Sequence, residues 1–155
     1  MQEKVKRILI PIFCILWISL IFIMSSDTGS FEKTMNVSET VTEQIQGVDS
    51  HVADQDVVSV ADRLNLIIRK SGHFIEYMIL CILLLKTGES FGIRYKQSVS
   101  YILLICLIIA NLDEFYQGFI PGRNSSVLDS LIDLGGSLFG AAMYIGIARI
   151  KKKRV

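Results

Sequence analysis

Apolar residues gather in four long runs along the chain, separated by polar segments of unequal length. The runs cover residues 8–24, 66–85, 98–117 and 127–147. Each approaches the roughly 20 residues that a helix needs to cross the hydrocarbon core of a bilayer. The pattern predicts an all-α protein, a four-helix transmembrane bundle forming one domain over residues 1–155, with segment 25–65 as an extracytoplasmic loop.

The first run follows several basic residues and contains Pro11. A basic segment followed by a short apolar run is typical both of a membrane anchor and of a secretory signal peptide. No small-residue cleavage motif of the A-x-A type follows the run. We therefore interpret it as a retained transmembrane helix.

The extracytoplasmic loop 25–65 is polar and acidic, and Asn36 and Glu39 have the spacing of a capping box. Apolar residues recur at helical spacing at Val37, Val41, Ile45 and Val48. The pattern predicts a short amphipathic helix within the loop. A helix lying on the membrane or covering the bundle is favoured over a separate binding module.

Composition agrees with a membrane protein. Hydrophobic residues make up 51% of the chain and charged residues 20%, and the mean hydropathy is +0.47, above the range usual for soluble domains. The net charge of +1, without a dominant basic face, argues against a nucleic-acid partner. Three cysteines without a CxxC pair exclude a disulfide scaffold and a cysteine-based zinc site.

Basic residues are divided unevenly between the two sides of the predicted membrane. Eleven lie in the segments on the side of the N-terminus, and five lie on the opposite side. Because basic residues in short loops stay in the cytoplasm, the sequence predicts a multi-pass protein of the cell membrane with both termini cytoplasmic.

Three of the predicted helices carry ionisable residues in the half of the membrane away from the cytoplasm, about 14 to 22 Å from their cytoplasmic ends at 1.5 Å per residue. Charge is costly at such depth, so it indicates a buried functional cavity or an interhelical ion network. We call these residues the polar layer. Its members are Arg69, Lys70, His73, Glu76, Tyr77, Asp113, Glu114, Gln117, Asp129 and Asp133, with Arg123 from the turn before the last helix.

Charge does not balance within the polar layer. Three basic residues face five acidic ones, a formal excess of two negative charges with His73 neutral. Such an excess does not persist in a dry interior. It is relieved by protons on carboxylates or on His73, by a bound cation, or by access to water.

The polar residues fall into three blocks, over 69–77, 113–123 and 129–136. In this order and spacing they resemble the signature blocks of the VanZ-like family of bacterial membrane proteins. Residues 24–27 also resemble the family's Phe-Ser-Ser-Gln element, with Met and Asp as departures, and Asp133 stands where the family usually has Asn. The resemblance implies a teicoplanin-resistance-type role in the cell envelope at the outer surface, and it implies no particular reaction.

His73 has three interpretations. It forms an interhelical hydrogen bond to Asp113 or Glu114, it acts as a general acid or base, or it binds a metal ion. One histidine without cysteine is a poor donor set for zinc, so no metal is assigned and the cofactor stays unknown. Arg123 likewise forms a cap or ion pair with Asp129, or contacts an anion beside Arg69.

Two classes of function remain. In the first, an enzyme acts on a membrane lipid or lipid-linked envelope precursor in the outer leaflet. Its acid–base residues are then His73, Glu76, Asp113 and Glu114, and its binding residues are Arg69, Lys70, Tyr77, Gln117, Arg123, Asp129 and Asp133. In the second, the polar layer only holds the bundle together, or binds a lipid, precursor or glycopeptide antibiotic without turnover. The oligomeric state is left open.

Gly136 and Gly140 are four residues apart in the last run. This small-xxx-small spacing lets two helix backbones approach closely in a membrane. The pair is therefore predicted to be a packing contact.

Overall fold

The computed structural model describes residues 2–26, 40, 54–120 and 125–153. Four long helices make up these ranges, with short turns between the last three. They are α1 (Gln2–Ser26), α2 (Asp54–Ser90), α3 (Tyr95–Gln117) and α4 (Val127–Lys153). The prediction of an all-α protein is confirmed for the described part of the chain.

Three of the helices are long and apolar enough to cross a membrane. The stretches that meet this condition are Lys4–Ser26 in α1, Tyr95–Gln117 in α3 and Val127–Lys151 in α4. Large apolar side chains are exposed along them, which is expected of surfaces that face lipid and unusual over such areas in a soluble monomer. On α1 they include Ile8, Phe13, Ile15, Leu16 and Ile23.

Helix α2 is longer than the predicted run 66–85 at both ends. Residues 54–65, which the sequence analysis placed in the extracytoplasmic loop, are helical. No proline or glycine interrupts them, and a helix continues until a breaker residue or cap ends it. The predicted amphipathic helix around 36–48 lies outside the described residues apart from Thr40, which is helical.

Helix α2 occupies the centre of the bundle and packs against each of the other three helices, most extensively against α4. Its inner face contributes buried residues, among them Tyr77, Leu80, Cys81 and Leu85. The three cysteines are buried free thiols.

Helices that follow one another along the chain run antiparallel, whereas α2 runs parallel to α4 and α1 runs parallel to α3, as contacts at the two ends of the bundle show. At one end Arg7 Nε donates to the Ser90 carbonyl at 2.9 Å, and Tyr144 donates to the Glu89 carboxylate. At the other end the last turn of α1 contacts the last turn of α3 through Ser25. The start of α1 and the end of α4 therefore lie at the same end of the bundle.

Gly136 and Gly140 lie directly against the backbone of α2. A Cβ atom at Gly136 would fall within 3.0 Å of the Phe74 carbonyl, and one at Gly140 would do the same at the Met78 carbonyl. Phe74 and Met78 are themselves one helical turn apart, so the two backbones touch along a full turn. The predicted packing role of this glycine pair is confirmed.

Candidate functional site

The last turns of α1 and α3 meet in a buried hydrogen-bond cluster. Ser25 Oγ donates to Asp113 Oδ2 at 2.7 Å, and Gln117 Nε2 donates to the same oxygen at 2.9 Å. Each of these three side chains is at most 2% exposed. Asp113 is therefore held by two donors inside the bundle, away from solvent.

Glu114 joins the end of α3 to the start of α4. Its Oε2 accepts a hydrogen bond from the Ser126 amide at 2.8 Å, while the Ser126 hydroxyl accepts one from the Leu128 amide at 3.2 Å. Ser126 thus acts as the N-cap of α4. The negative charge of Glu114 also lies close to the positive end of the α4 dipole, and these contacts fix the connection between the two helices.

His73 lies opposite Asp133 across the α2–α4 interface. His73 Nδ1 is 3.7 Å from Asp133 Oδ1, and the side chains are 15% and 0% exposed. The distance is within reach of an ion pair and longer than a hydrogen bond. This pairing differs from the predicted hydrogen bond of His73 to Asp113 or Glu114, and Asp133 is predicted as a binding residue. Spacing along a helix gives the depth of a residue and does not show which helices face each other.

Tyr77 is completely buried one turn further along α2. Within the described part of the chain its hydroxyl has no hydrogen-bond partner, and it interacts electrostatically with Asp113, Asp133 and Glu76. A buried hydroxyl without a partner is uncommon in a folded protein. Tyr77, predicted as a binding residue, is thus an available donor among carboxylates.

The acidic residues of the polar layer converge around Asp133. Its carboxylate interacts electrostatically with those of Asp113, Glu114, Asp129 and Glu76. The five acidic residues predicted from three separate helices thus share one region of the bundle. No group of three or more histidine, cysteine or acidic residues within the described ranges is arranged to hold a metal ion.

Lys70 and Asp129 form the more accessible edge of the layer. Lys70 Nζ lies 2.8 Å from Asp129 Oδ1, with the side chains 32% and 24% exposed. Arg69 and Glu76 are also partly exposed on α2, and the backbone carbonyl of Glu76 accepts a hydrogen bond from Trp17 Nε1 at 3.0 Å. Arg123 lies outside the described residues, so its place at this edge stays a prediction.

The layer therefore has two parts that differ in their exposure. A closed inner part, which we call the carboxylate cluster, contains Asp113, Glu114, Gln117 and Asp133, each at most 4% exposed. A partly exposed edge, which we call the rim, contains Arg69, Lys70, His73, Glu76 and Asp129. Helix packing, which spacing along the chain does not reveal, decides which residues are covered.

A shallow apolar groove of about 460 Å³ adjoins the rim at Lys70. The residues lining this lateral groove are Ile67, Lys70, Ser71, Phe74, Ile75 and Ile132. The groove is not predictable from the sequence, because its apolar residues are indistinguishable there from ordinary lipid-facing positions. The groove lies on the apolar outer surface of the bundle. Lys70 is the only charged side chain in its lining.

Comparison with known proteins gives one family. A sequence model described as VanZ/LLP1 matches residues 10–149, most of the chain, and the matched region contains the carboxylate cluster and the rim. No curated protein and no solved structure matched the chain significantly.

Proposed function

The chain belongs to the VanZ/LLP1 family, and from this membership we propose that it works at the outer face of the bacterial cell membrane. Its polar layer binds the anionic head of a lipid or of a lipid-linked envelope precursor. The same site accounts for a role towards a glycopeptide antibiotic of the teicoplanin type, because such drugs act on envelope precursors at this surface.

The observation that carries this proposal is the position of Lys70, which lines the lateral groove and pairs with Asp129 on the rim. Five apolar or small residues line the groove together with Lys70, which suits a lipid chain entering from the membrane. An ammonium group pairs strongly with phosphate, and Lys70 already holds one anion, the carboxylate of Asp129. An incoming phosphate would replace that carboxylate.

For an enzyme, His73 is the residue best placed to transfer protons. It is partly exposed on the rim, while Asp133 behind it is completely buried at 3.7 Å. A carboxylate orients a histidine and stabilises its charged form. Asp113 and Glu114 are engaged by Ser25, Gln117 and the start of α4, so in this proposal they position the site.

A second candidate function is a binding or structural role without catalysis. A different observation favours it. The hydrogen bonds from Ser25 and Gln117 to Asp113 join α1 to α3 within a closed interior. A buried network whose members satisfy one another is a structural element in many helix bundles. The carboxylate cluster would then hold the helices while only the rim contacts a ligand.

The two candidates are separated by comparing lipid and precursor pools in cells with and without the protein. We expect one lipid or lipid-linked species to fall when the wild-type chain is present, together with a change in teicoplanin susceptibility. Unchanged pools with altered susceptibility would favour binding without turnover. The proposal would be abandoned if pools and susceptibility were both unaffected.

The proposed topology has four membrane crossings and both termini in the cytoplasm. Arg7 at the start of α1 contacts Ser90 at the end of α2. This contact supports a second crossing by α2, which would return the chain to the side where α1 begins. The excess of basic residues at this end supports a cytoplasmic location for it.

Cysteine labelling tests this topology. A membrane-impermeant maleimide applied to intact cells is expected to label Thr40→Cys and not Phe91→Cys, both at exposed positions. The wild-type chain is the background control, because its three cysteines are buried, and permeabilised cells should label both variants. Equal labelling of the two variants in intact cells would contradict the topology.

A further inference from the structure

A second concentration of charge lies at the opposite end of the bundle, where α2 ends and α3 begins. A cavity of about 650 Å³ opens there between the α2–α3 turn and the last turns of α4. Its polar lining includes Arg94, Lys96 and Arg149, with Glu89 and Tyr144. The proposed function uses none of these residues.

A smaller cavity of about 330 Å³ adjoins the first, and Glu89 and Tyr144 line both. Lys86 and Lys151 provide its cations, while Ile82 and Ile147 provide apolar walls. We call the two cavities together the basic interface site. The Tyr144 hydroxyl donates to the Glu89 carboxylate, forming a wall that the two cavities share.

Positive charge dominates the basic interface site. Its lining contains five cationic side chains and one carboxylate, that of Glu89. All five cations are exposed, and none of them forms an ion pair within the ranges that the structure describes. Uncompensated cations that converge on a cavity favour an anionic ligand.

The surroundings of the site are those of a membrane interface. The α2–α3 turn exposes Phe91 and Ile93 on either side of Gly92, whose φ of +82° allows the tight reversal there. The rings of Tyr95 and Tyr144 contact each other edge to face, with centroids 6.4 Å apart. Tyrosine rings and basic side chains together are typical of the level of lipid headgroups.

We propose that the basic interface site binds the phosphate headgroup of an anionic phospholipid in the leaflet at this end of the bundle. Arg94 and Arg149 approach the headgroup from the turn and from α4, and a guanidinium binds phosphate oxygens in a bidentate manner. The apolar wall at Ile82 and Ile147 lies beside the acyl chains. Basic pockets between transmembrane helices bind anionic lipids in this way in other membrane proteins.

Lipid titration of the purified full-length protein in neutral detergent tests the proposal. Native mass spectrometry would measure bound phosphatidylglycerol, with phosphatidylcholine as the neutral comparison. The wild-type chain is expected to prefer phosphatidylglycerol. Arg94→Gln combined with Arg149→Gln is expected to weaken that binding roughly 25-fold, because each cation removed should lower the affinity about fivefold.

Two further variants make the result specific. Lys4→Gln combined with Lys6→Gln removes the same charge at the same end of the bundle outside both cavities, and it should keep wild-type affinity. Arg94→Lys combined with Arg149→Lys preserves the charge and loses the bidentate geometry, so it should bind the lipid more weakly than the wild-type chain and more tightly than the glutamine variant. It also covers the case in which the glutamine variant folds poorly. Gel filtration in the same detergent checks folding.

Three outcomes would overturn the assignment. One is equal binding of the neutral and the anionic lipid by the wild-type chain. Another is the same loss in the Lys4 and Lys6 control as in the Arg94 and Arg149 variant, since binding would then follow overall charge. The third is displacement of the lipid by glycerol 3-phosphate as effectively as by short-chain phosphatidylglycerol, which would assign the phosphate site to a soluble compound.

Discussion

Gly136→Ala is expected to destabilise the protein severely. The added Cβ would fall within 3.0 Å of the Phe74 carbonyl and would also press on the Phe74 carbonyl carbon. Because the obstacle is backbone, no side chain can rotate away, and α2 and α4 must separate along the most extensive contact in the bundle. Overpacking typically lowers the free energy of unfolding by 1–3 kcal/mol, and we expect a loss of about 3 kcal/mol here. Thermal denaturation in detergent, followed by gel filtration, would measure the loss of stability.

Two glycines on the same helix provide matched controls for that measurement. A Cβ at Gly135 would meet the Phe74 ring at 3.7 Å, an ordinary contact, and one at Gly146 would meet nothing within 4 Å. Alanine favours a helix over glycine by about 0.8–1.0 kcal/mol, so Gly135→Ala and Gly146→Ala should keep or raise stability. Gly140→Ala should resemble Gly136→Ala. Similar melting temperatures for Gly135→Ala and Gly136→Ala would contradict the close approach of the two helices.

The helices were largely predictable from the sequence, because a helix that crosses a membrane needs about 20 mostly apolar residues in one continuous run. Such a run is visible in the sequence without knowledge of the rest of the fold. The third predicted run ends at residue 117 and the fourth begins at residue 127, as α3 and α4 do. The length of α2 was not predictable in the same way. Its first turns are polar, so a search for apolar runs starts the helix near residue 66, although the backbone is helical from Asp54 onward.

The composition of the polar layer was also predictable, since ionisable residues within apolar runs are conspicuous. The pairing of its members across helices was not predictable. Residues spaced four apart share a face of one helix, but the order of helices around a bundle is a property of the whole fold. His73 therefore lies opposite Asp133 on α4, and Lys70 pairs with Asp129. The lateral groove was missed for a related reason, because it exists only between two packed helices.

The remaining expected result concerns whether the carboxylate cluster is needed for activity or only for folding. Asp113→Asn keeps a carbonyl oxygen that can accept the hydrogen bonds from Ser25 and Gln117, while the negative charge is lost. Asp113→Leu leaves the Ser25 hydroxyl without its acceptor and leaves Gln117 Nε2 only its 3.4 Å contact with Ser25 Oγ. A buried donor without an acceptor costs about 1–3 kcal/mol. We therefore expect the asparagine variant to remain folded and the leucine variant to be lost from the membrane.

If the polar layer is a functional site, Asp113→Asn should abolish the effect on lipid pools and on teicoplanin susceptibility despite near-normal expression. His73→Gln and Glu76→Gln on the rim should do the same, because glutamine keeps hydrogen bonding and loses acid–base capacity. Asn111→Ala, on the exposed side of α3, is the matched control and should retain full activity. The layer would instead be structural if all three variants lost activity only in proportion to the loss of folded protein.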